Sequence, residues 1–600
     1  MRSPDVVLNN LVSKSKEENY VFDRLYRNLY NPEFYLIAYA KIYAKPGNMT
    51  KGSDGKTIDG FSHKRIDSLI DSLKNETYQP KPSRRVYIPK SNGKKRPLGI
   101  PSFDDKLVQE VVRMILEAIY EGTFQDSSHG FRPNRSCHTA LKQVKHSFTG
   151  VRWFIEGDIE SFFDHIDHHT LISILAKRIR DSKFIRLIWK FLRAGFINDW
   201  KFHSTYSGTP QGGIISPLLS NIYLNELDKY LRDYASNFNK AKKRATNKEY
   251  KRREYLVYKH RKKLKACWDE LPLERKREEL RTYKSLKQQL IAVDFADPMD
   301  SNYKRMQYVR YADDFIIGII GSKKDCLEIK EDLTVFLNEN LKLNLSQEKT
   351  LITKKARFLG YDIQIKRSSH TKTDKNGNLR KTQNLRCKLY MPAEKWINKL
   401  KEYKALKITA DGKWKAAHRT YLINHDDLEI IDMYNSEIRG MYNYYKLAHN
   451  VHTLNDFYYF MKYSFLRTLG AKYKASVASI YSRLRLNGKL GIAYETKAGT
   501  KIRYFYREGF KRVDNEADIR CDTLPNFLKY VGRTSLIDRL SAKKCEYCGK
   551  ADVAIEMHHV RKLKDLKGKT LWEQHMIARQ RKTLALCVDC HRDLHNGKLN

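Results

Sequence analysis

The apolar positions of this chain change their period several times, and each change predicts a different architecture. Residues 1–80 look helical and polar, and read as an N-terminal extension. From 81 to 375, short β-branched runs alternate with helical patterns, which predicts a mixed α/β domain. Residues 230–300 interrupt that alternation with helical composition and no strand signal, as an inserted arm would. Lys366 to Lys381 is polar and reads as a loop. Helical periodicity rich in Tyr and Lys occupies 385–490, and residues 491–540 are basic and weakly patterned. Residues 541–600 read as a separate module marked by Cys and His. No solenoid repeat is present.

Two apolar runs carry acids. Trp153 to Phe163 predicts a strand that ends at Asp158, and Tyr308 to Gly318 predicts a β-hairpin with Asp313 and Asp314 at its tip. Adjacent carboxylates repel unless a cation neutralises them. A third carboxylate at the end of a neighbouring strand would let the set hold two Mg²⁺ ions roughly 4 Å apart. That is the apparatus of nucleotidyl transfer. One ion would activate a 3′-hydroxyl and the other would hold a triphosphate.

Charge supports a polyanionic partner. Lys and Arg number 114 against 69 acids, a formal net charge of +45, and 38 Tyr and 25 Phe accompany them. Between Lys240 and Lys265 there are 13 basic residues and two acids, Glu249 and Glu254. This run is either a nucleic-acid contact or a solvated charged face. No stretch reaches the ~18 apolar residues of a membrane span, and the first residues lack a secretory signal core. Five of the nine Cys are scattered, and four form the pairs Cys545/Cys548 and Cys587/Cys590. The spacing predicts one four-thiolate structural Zn²⁺ site in a reducing compartment. His591 and His595 are four apart, so a helix would present both on one face.

Motif by motif, the chain resembles the reverse transcriptases. The run Arg84 to Pro101, with its Asn92-Gly93 turn, looks like the family's fingertip hairpin. His129 to Arg135, Thr209 to Pro217, Glu348 to Thr350 and Phe358 to Tyr361 look like later blocks, in family order. The resemblance implies a right-hand polymerase of fingers and palm with a helical thumb, an RNA-templated DNA polymerase acting on dNTPs. Catalysis would fall to Asp158, Asp313 and Asp314, and the backbone carbonyl of Ile159 would add a metal ligand beside Asp158 and Asp313. Lys90 and Arg96 would grip the triphosphate. Phe163 would exclude a 2′-hydroxyl, with Phe162 in the core. Gln211, Gly212 and Lys349 would line the nucleotide and template site.

Within that family the blocks are most similar to the group II intron-encoded proteins. Ser436 to Tyr445 looks like the maturase signature of the thumb, and a helix would group Arg439, Tyr442 and Asn443, with Gly440 for close packing and Lys472 in a second basic patch. These imply contacts to the protein's own intron RNA. Glu556, His558, His559 and the run Cys587 to His595 resemble the HNH endonucleases, a small zinc-stabilised ββα-metal module. By that pattern His558, His591 and His595 would hold a divalent ion such as Mg²⁺, His559 would be the general base, and Glu556 would orient a neighbour. Thr583 stands where the pattern usually has Asn.

The implied protein splices its intron, stays with the excised lariat as a ribonucleoprotein, nicks double-stranded target DNA and copies the intron from the new 3′ end. Residues 491–540 would touch DNA. The resemblance leaves room for a homodimer, and a bacterial cytoplasm, with nucleoid association during DNA work, is the simpler expectation beside an organellar matrix. The competing reading is a reverse transcriptase whose zinc-bound tail binds DNA without cutting and which has no maturase role.

Overall fold

The computed structural model describes the chain apart from residues 44–46, 90–92, 94, 199–200, 204–207, 209–211, 298–299, 367–370, 374, 376, 378, 382–384, 497–498, 514–534, 580 and 600. Lys90, Gln211 and much of the 491–540 region therefore lie outside the described residues.

The centre of the first half is a four-stranded antiparallel sheet in the order Arg305–Tyr311, Asp314–Ile320, Trp153–Asp158, Leu351–Thr353. Its strands alternate between two cores. Ile155, Phe315, Ile317 and Ile319 face the core shared with helices Phe103–Tyr120, Ser216–Phe238 and Lys323–Leu341. Phe154, Val309 and Ile316 face the other, with Ala140, Leu141 and Val144 of helix Cys137–Ser147. Burial on both faces explains why these strands read as near-continuous apolar runs. A second sheet pairs Ser83–Pro89 with Lys95–Ile100 antiparallel, and extends through Phe196–Asn198 to Lys201–His203.

The N-terminal extension is helical, but one of its helices is not polar in its setting. Pro32–Tyr43 buries Phe34, Tyr35, Leu36, Ile37, Ala38, Tyr39, Lys41 and Ile42. Its Lys41 lies against Glu110 at 3.6 Å, inside a network in which Arg113 also binds Glu110 and Glu117. Three Tyr and a Lys made this segment read as a surface, whereas the Tyr35 and Tyr39 hydroxyls and the Lys41 ammonium reach partners in the interior.

The expected arm is a helical hairpin, Lys248–Cys267 against Leu273–Ala292, and the preceding helix runs on to Phe238. Only Leu264 is buried on the first arm helix and nothing on the second. The base is clamped shut: Lys240 bridges Lys304, Thr246 bridges Ala296, and the Asn247 amide donates to the Phe295 carbonyl at 2.9 Å.

Beyond the first sheet, Lys355–Phe358, Tyr361–Lys366 and Arg386–Tyr390 form a three-stranded sheet. It packs against helices Ala393–Glu402, Asp427–Tyr445, Leu454–Tyr473 and Val477–Leu484. The hairpin Lys489–Thr496/Gly499–Tyr504 follows.

The C-terminal module is a hairpin, Ile555–His559 with Thr583–Cys587, followed by helix Val588–His595. It is not separate from the rest. Leu536, Ile537, Leu540, Ile555 and Met557 share one core with Tyr39 and Phe61, because the N-terminal extension supplies apolar surface that so small a module lacks.

The clamped base generates a prediction. Replacing residues 248–292 by a short Gly-Ser linker leaves the thermal unfolding midpoint unchanged and shallows the salt dependence of nucleic-acid binding. A calorimetric scan and a salt titration check the two halves.

Candidate metal centres

The acidic tip is positioned from below by one buried arginine. Arg310, in the strand that enters the turn, is fully buried. Its Nε and Nη2 donate to the two oxygens of Asp228 at 2.8 and 2.6 Å. Nη1 donates to Asn221 Oδ1 at 3.1 Å and to the Ala312 carbonyl at 2.8 Å, and Nη2 also reaches Ser128 Oγ at 2.8 Å. All five guanidinium N–H groups are thus used. They tie the turn to helix Ser216–Phe238 and to the loop before Gly130. That loop adds main-chain bonds, His129 N to Arg310 O at 3.0 Å and Arg310 N to Ser127 O at 2.8 Å. Gly130 lies so close to the turn that an added Cβ would sit 2.4 Å from the Ala312 nitrogen.

On this base, Tyr311 pairs with Asp314 across the two-residue turn Ala312-Asp313, with Ala312 at φ 56°. Asp314 also pairs directly with Asp158 on the next strand, so the two share a face with Cα atoms about 4.5–5.5 Å apart. Desolvation in the cleft, then the charges of Asp313 and Asp158, push the Asp314 carboxyl up to about 6, although its side chain still reaches solvent. Burial, with the Asp158 charge, also raises Asp313, while Arg96 and Arg310 oppose the shift. Lys349 Nζ pairs with Asp158 at 2.5 Å. Its hydrogen bond to Asp158 raises the Lys349 pKa, and the charges of Asp314 and Asp313 add to it.

The other expected residues of this centre fall around it. Ile159 is buried and bridges Leu345. Phe162 is in the core, and Phe163 is half-buried against its edge, ring centroids 5.4 Å apart. Arg96 lies exposed on the first hairpin, within electrostatic reach of Asp313. Gly212, at φ 113°, presses on that hairpin so closely that a Cβ would meet the Gly99 carbonyl at 2.4 Å.

On helix Asp427–Tyr445, Arg439 is exposed and 3.6 Å from Glu508, and Asn443 is half-buried. Two expectations there change. Gly440 does not mark close packing, since a Cβ would meet nothing within 4 Å. Lys472 is not a free surface cation: Asp427 at 2.6 Å and the His425 carbonyl at 2.7 Å hold its ammonium at the start of that helix.

Two further clusters among the described residues could hold a metal. Cys545, Cys548, Cys587 and Cys590 bring their sulfurs within 4.8 Å of one another, with Cys548 Sγ 3.8 Å from Cys587 Sγ. Burial opposes ionisation of Cys545, but main-chain donors at Cys548, Cys587 and Tyr547 draw it down to about 7. The second cluster joins His558, His591 and His595 to a residue that the sequence reading missed, Asp59. Asp59 Oδ2 is 2.8 Å from His595 Nε2 and 3.6 Å from His591 Nε2, and Oδ1 is 3.3 Å from His558 Nδ1. Glu556 holds His591 Nδ1 at 2.6 Å. Burial disfavours a charged His591, but the hydrogen bonds to Asp59 and Glu556 prevail and lift it to about 9. His559 points elsewhere. Its ring is buried, Nε2 lies 2.9 Å from the Tyr39 hydroxyl, Nδ1 lies 2.9 Å from the Met557 carbonyl, and burial pushes its pKa down to about 4. Thr583, opposite His559 in the hairpin, accepts a hydrogen bond from Arg539 at 2.9 Å.

Comparison with known proteins finds three families along the chain. Residues 88–251 match the model of the reverse transcriptase (RNA-dependent DNA polymerase) family, residues 384–540 that of the type II intron maturases, and residues 545–591 that of the AI2M/AI1M-like HNH endonucleases. The Lactococcus lactis protein LtrA, a group II intron-encoded protein, is 46% identical over 607 residues, covering 99% of this chain and all of that one. A putative COX1/OXI3 intron 1 protein of Saccharomyces cerevisiae is 35% identical, covering 98% of this chain and 71% of its own. Protein YkfC of Escherichia coli is 37% identical over 58% of this chain and 84% of its own.

The buried pair yields a prediction. Asp228→Ala strands the Arg310 charge and destabilises the domain by about 3–5 kcal/mol. The double variant Arg310→Met/Asp228→Leu recovers part of that stability in denaturant unfolding, but not polymerase activity, because the ties to Ala312 and Ser128 are gone.

Proposed function

The chain belongs to the group II intron-encoded proteins, and from that membership we infer how its parts divide the work of splicing and moving one intron. It is a multifunctional protein with reverse transcriptase, intron maturase and HNH endonuclease domains. The observation that carries the detailed reading is the convergence of Asp158, Asp313 and Asp314 at one sheet end, remote in sequence from a module with a thiol cluster and a histidine cluster.

In this reading the hairpin 83–100 belongs to the fingers, the four-stranded sheet is the palm, and helices 393–484 form the thumb. The donor set at the palm fits a dication, since burial and the charge of neighbouring carboxylates, Asp158 beside Asp313 and both Asp313 and Asp158 beside Asp314, raise the two, a cost that a bound cation removes. Asp158, Asp313, Asp314 and the Ile159 carbonyl would hold two Mg²⁺, which supply charge neutralisation at the primer 3′-hydroxyl and the triphosphate. Arg96 and Lys90 bind triphosphate oxygens, Phe163 excludes the 2′-hydroxyl, and Gln211 and Gly212 support the nucleotide and template. Lys349 adds positive charge beside Asp158. Lys90 and Gln211 are assigned from their motifs alone.

The thiol cluster fits Zn²⁺. The 3.8 Å between Cys548 and Cys587 sulfurs matches the roughly 3.8 Å edge of a tetrahedron with Zn–S bonds of about 2.3 Å. The histidine cluster fits a divalent ion, since His558 is buried, its Nε2 makes no hydrogen bond and its Nδ1 faces only the Asp59 carboxylate, 3.3 Å away. His558, His591 and His595 would hold that ion, which supplies stabilisation of the leaving 3′-oxygen. Glu556 fixes the orientation of the His591 ring, and His559 takes the proton of the attacking water.

The protein binds its own intron RNA, with Arg439 and Asn443 on the maturase surface, and remains with the lariat as a ribonucleoprotein. The RNA enters one DNA strand, the nuclease nicks the other, and the polymerase extends the new end with dNTPs, residues 491–540 touching DNA. A bacterial cytoplasm and a second protein copy belong to the same reading. No helix among the described residues is long and apolar enough to cross a membrane.

Separated losses test it. Asp313→Ala abolishes cDNA synthesis and keeps RNA binding and strand nicking. Cys548→Ser releases zinc and abolishes nicking while primer extension on an artificial template persists. A folded variant of either kind that loses both activities contradicts the division.

A further inference from the structure

The nuclease hairpin carries a strand-like partner that its own module does not supply. Strand Ile555–His559 pairs with Thr583–Cys587 along one edge. On its other edge lies the N-terminal extension: Phe61 bridges Met557, with Gly60 N donating to Met557 O at 3.2 Å and Met557 N to Phe61 O at 3.0 Å. Gly60 has φ 70°, a left-handed conformation that favours glycine, and lies beside His591 Cε1. Phe61 is fully buried and stacks on Tyr39 at 3.8 Å. Tyr39 in turn holds His559 Nε2.

This docking aims Asp59 into the histidine cluster. The His559 amide donates to Asp59 Oδ1 at 2.7 Å and fixes the carboxylate, leaving Oδ2 between His595 and His591. The Asp59 side chain keeps 15% of its exposure, so it is largely withdrawn from water among ring nitrogens. A carboxylate oxygen and three imidazole nitrogens within 4.8 Å of one another form a tetradentate oxygen-nitrogen set.

We propose that Asp59 is a fourth ligand of the nuclease ion, donated by the N-terminal extension, and that residues 57–62 act as a stopper over the nuclease centre. The inference rests on the histidine cluster being the nuclease metal site. A nuclease ion needs an open position for a phosphate oxygen, and its general base needs a free ring nitrogen. Asp59 fills the first and Tyr39 occupies the second. DNA cleavage therefore requires both residues 57–62 to leave the hairpin edge and the Tyr39 hydroxyl, stacked beside Phe61, to release His559, and removing either hold lowers the cost of opening.

The same extension leads back to the polymerase. Arg84 on the first hairpin donates to the Lys51 carbonyl at 3.1 Å, Ser53 donates to the Pro82 carbonyl at 2.5 Å, and Arg65 pairs with Asp104 at 2.6 Å.

The test uses the full chain carrying Asp158→Ala and Asp313→Ala, so that Mn²⁺ binding does not report the polymerase centre. Mn²⁺ affinity is followed by electron paramagnetic resonance, and nicking of a double-stranded oligonucleotide is followed at saturating Mn²⁺. Asp59→Asn is expected to weaken Mn²⁺ at least about tenfold and to raise nicking severalfold. Tyr39→Phe, which keeps the ring stacked on Phe61, is expected to raise nicking with Mn²⁺ affinity unchanged. Unchanged Mn²⁺ affinity in Asp59→Asn overturns the ligand. Nicking that stays level or falls in both variants overturns the stopper. If His591→Ala changes neither Mn²⁺ binding nor nicking of the parent, the metal-site reading itself fails, which is a different result from either.

Discussion

The alignment of the polymerase carboxylates depends on one buried guanidinium. Arg310 has no access to water, so each of its five donors must find an acceptor or cost stability, and each does. The acceptors come from three places: Asp228 and Asn221 on one helix, Ser128 on the loop before Gly130, and the Ala312 carbonyl in the turn itself. Because Arg310 and the acidic turn share one hairpin, fixing the guanidinium fixes the height and tilt of Asp313 and Asp314. The strand pairing then sets Asp158 opposite Asp314. Moving any of the three supports moves the reacting groups, and a misplacement of about 1 Å can cost 100-fold in rate.

Two other segments do opposite work around that fixed point. The arm adds a helical hairpin with almost no buried residue, clamped at its root, which is the form of a reaching contact more than of a structural brace. The N-terminal extension does the opposite work. Its buried helix Pro32–Tyr43 packs on Phe103–Tyr120, and its segment 57–62 lines the nuclease hairpin. One stretch of chain thereby touches both metal-centre domains, so the two chemistries are mechanically joined although the maturase sequence, residues 384–540, separates them.

What the sequence made legible was local. Asp158 closes an apolar run, Asp313 and Asp314 interrupt another, and the Cys pairs carry their own spacing, so each could be placed without knowing its neighbours. What it hid was the long-range partner. Arg310 stands inside an apolar strand, which was a usable signal of a buried ion pair, but Asp228 looks like any acid on a helix. Asp59 meets the histidines across about 500 residues, and no period or motif connects them. The buried face of Pro32–Tyr43 was hidden because Tyr counts as polar until its hydroxyl finds an acceptor, as Tyr35 does at the Leu29 carbonyl, 2.9 Å away. Lys472 misled for the converse reason: a surface lysine in a basic run is committed to Asp427 by the geometry of the helix start.

The central claim is that both centres serve one RNA. Purifying the full chain in mild salt, raising the salt stepwise and sequencing what stays bound tests it most directly. The account predicts salt-resistant recovery of one structured RNA encoded around this reading frame. A mixed RNA pool that washes off at moderate salt, as counterion release alone would give, would contradict it.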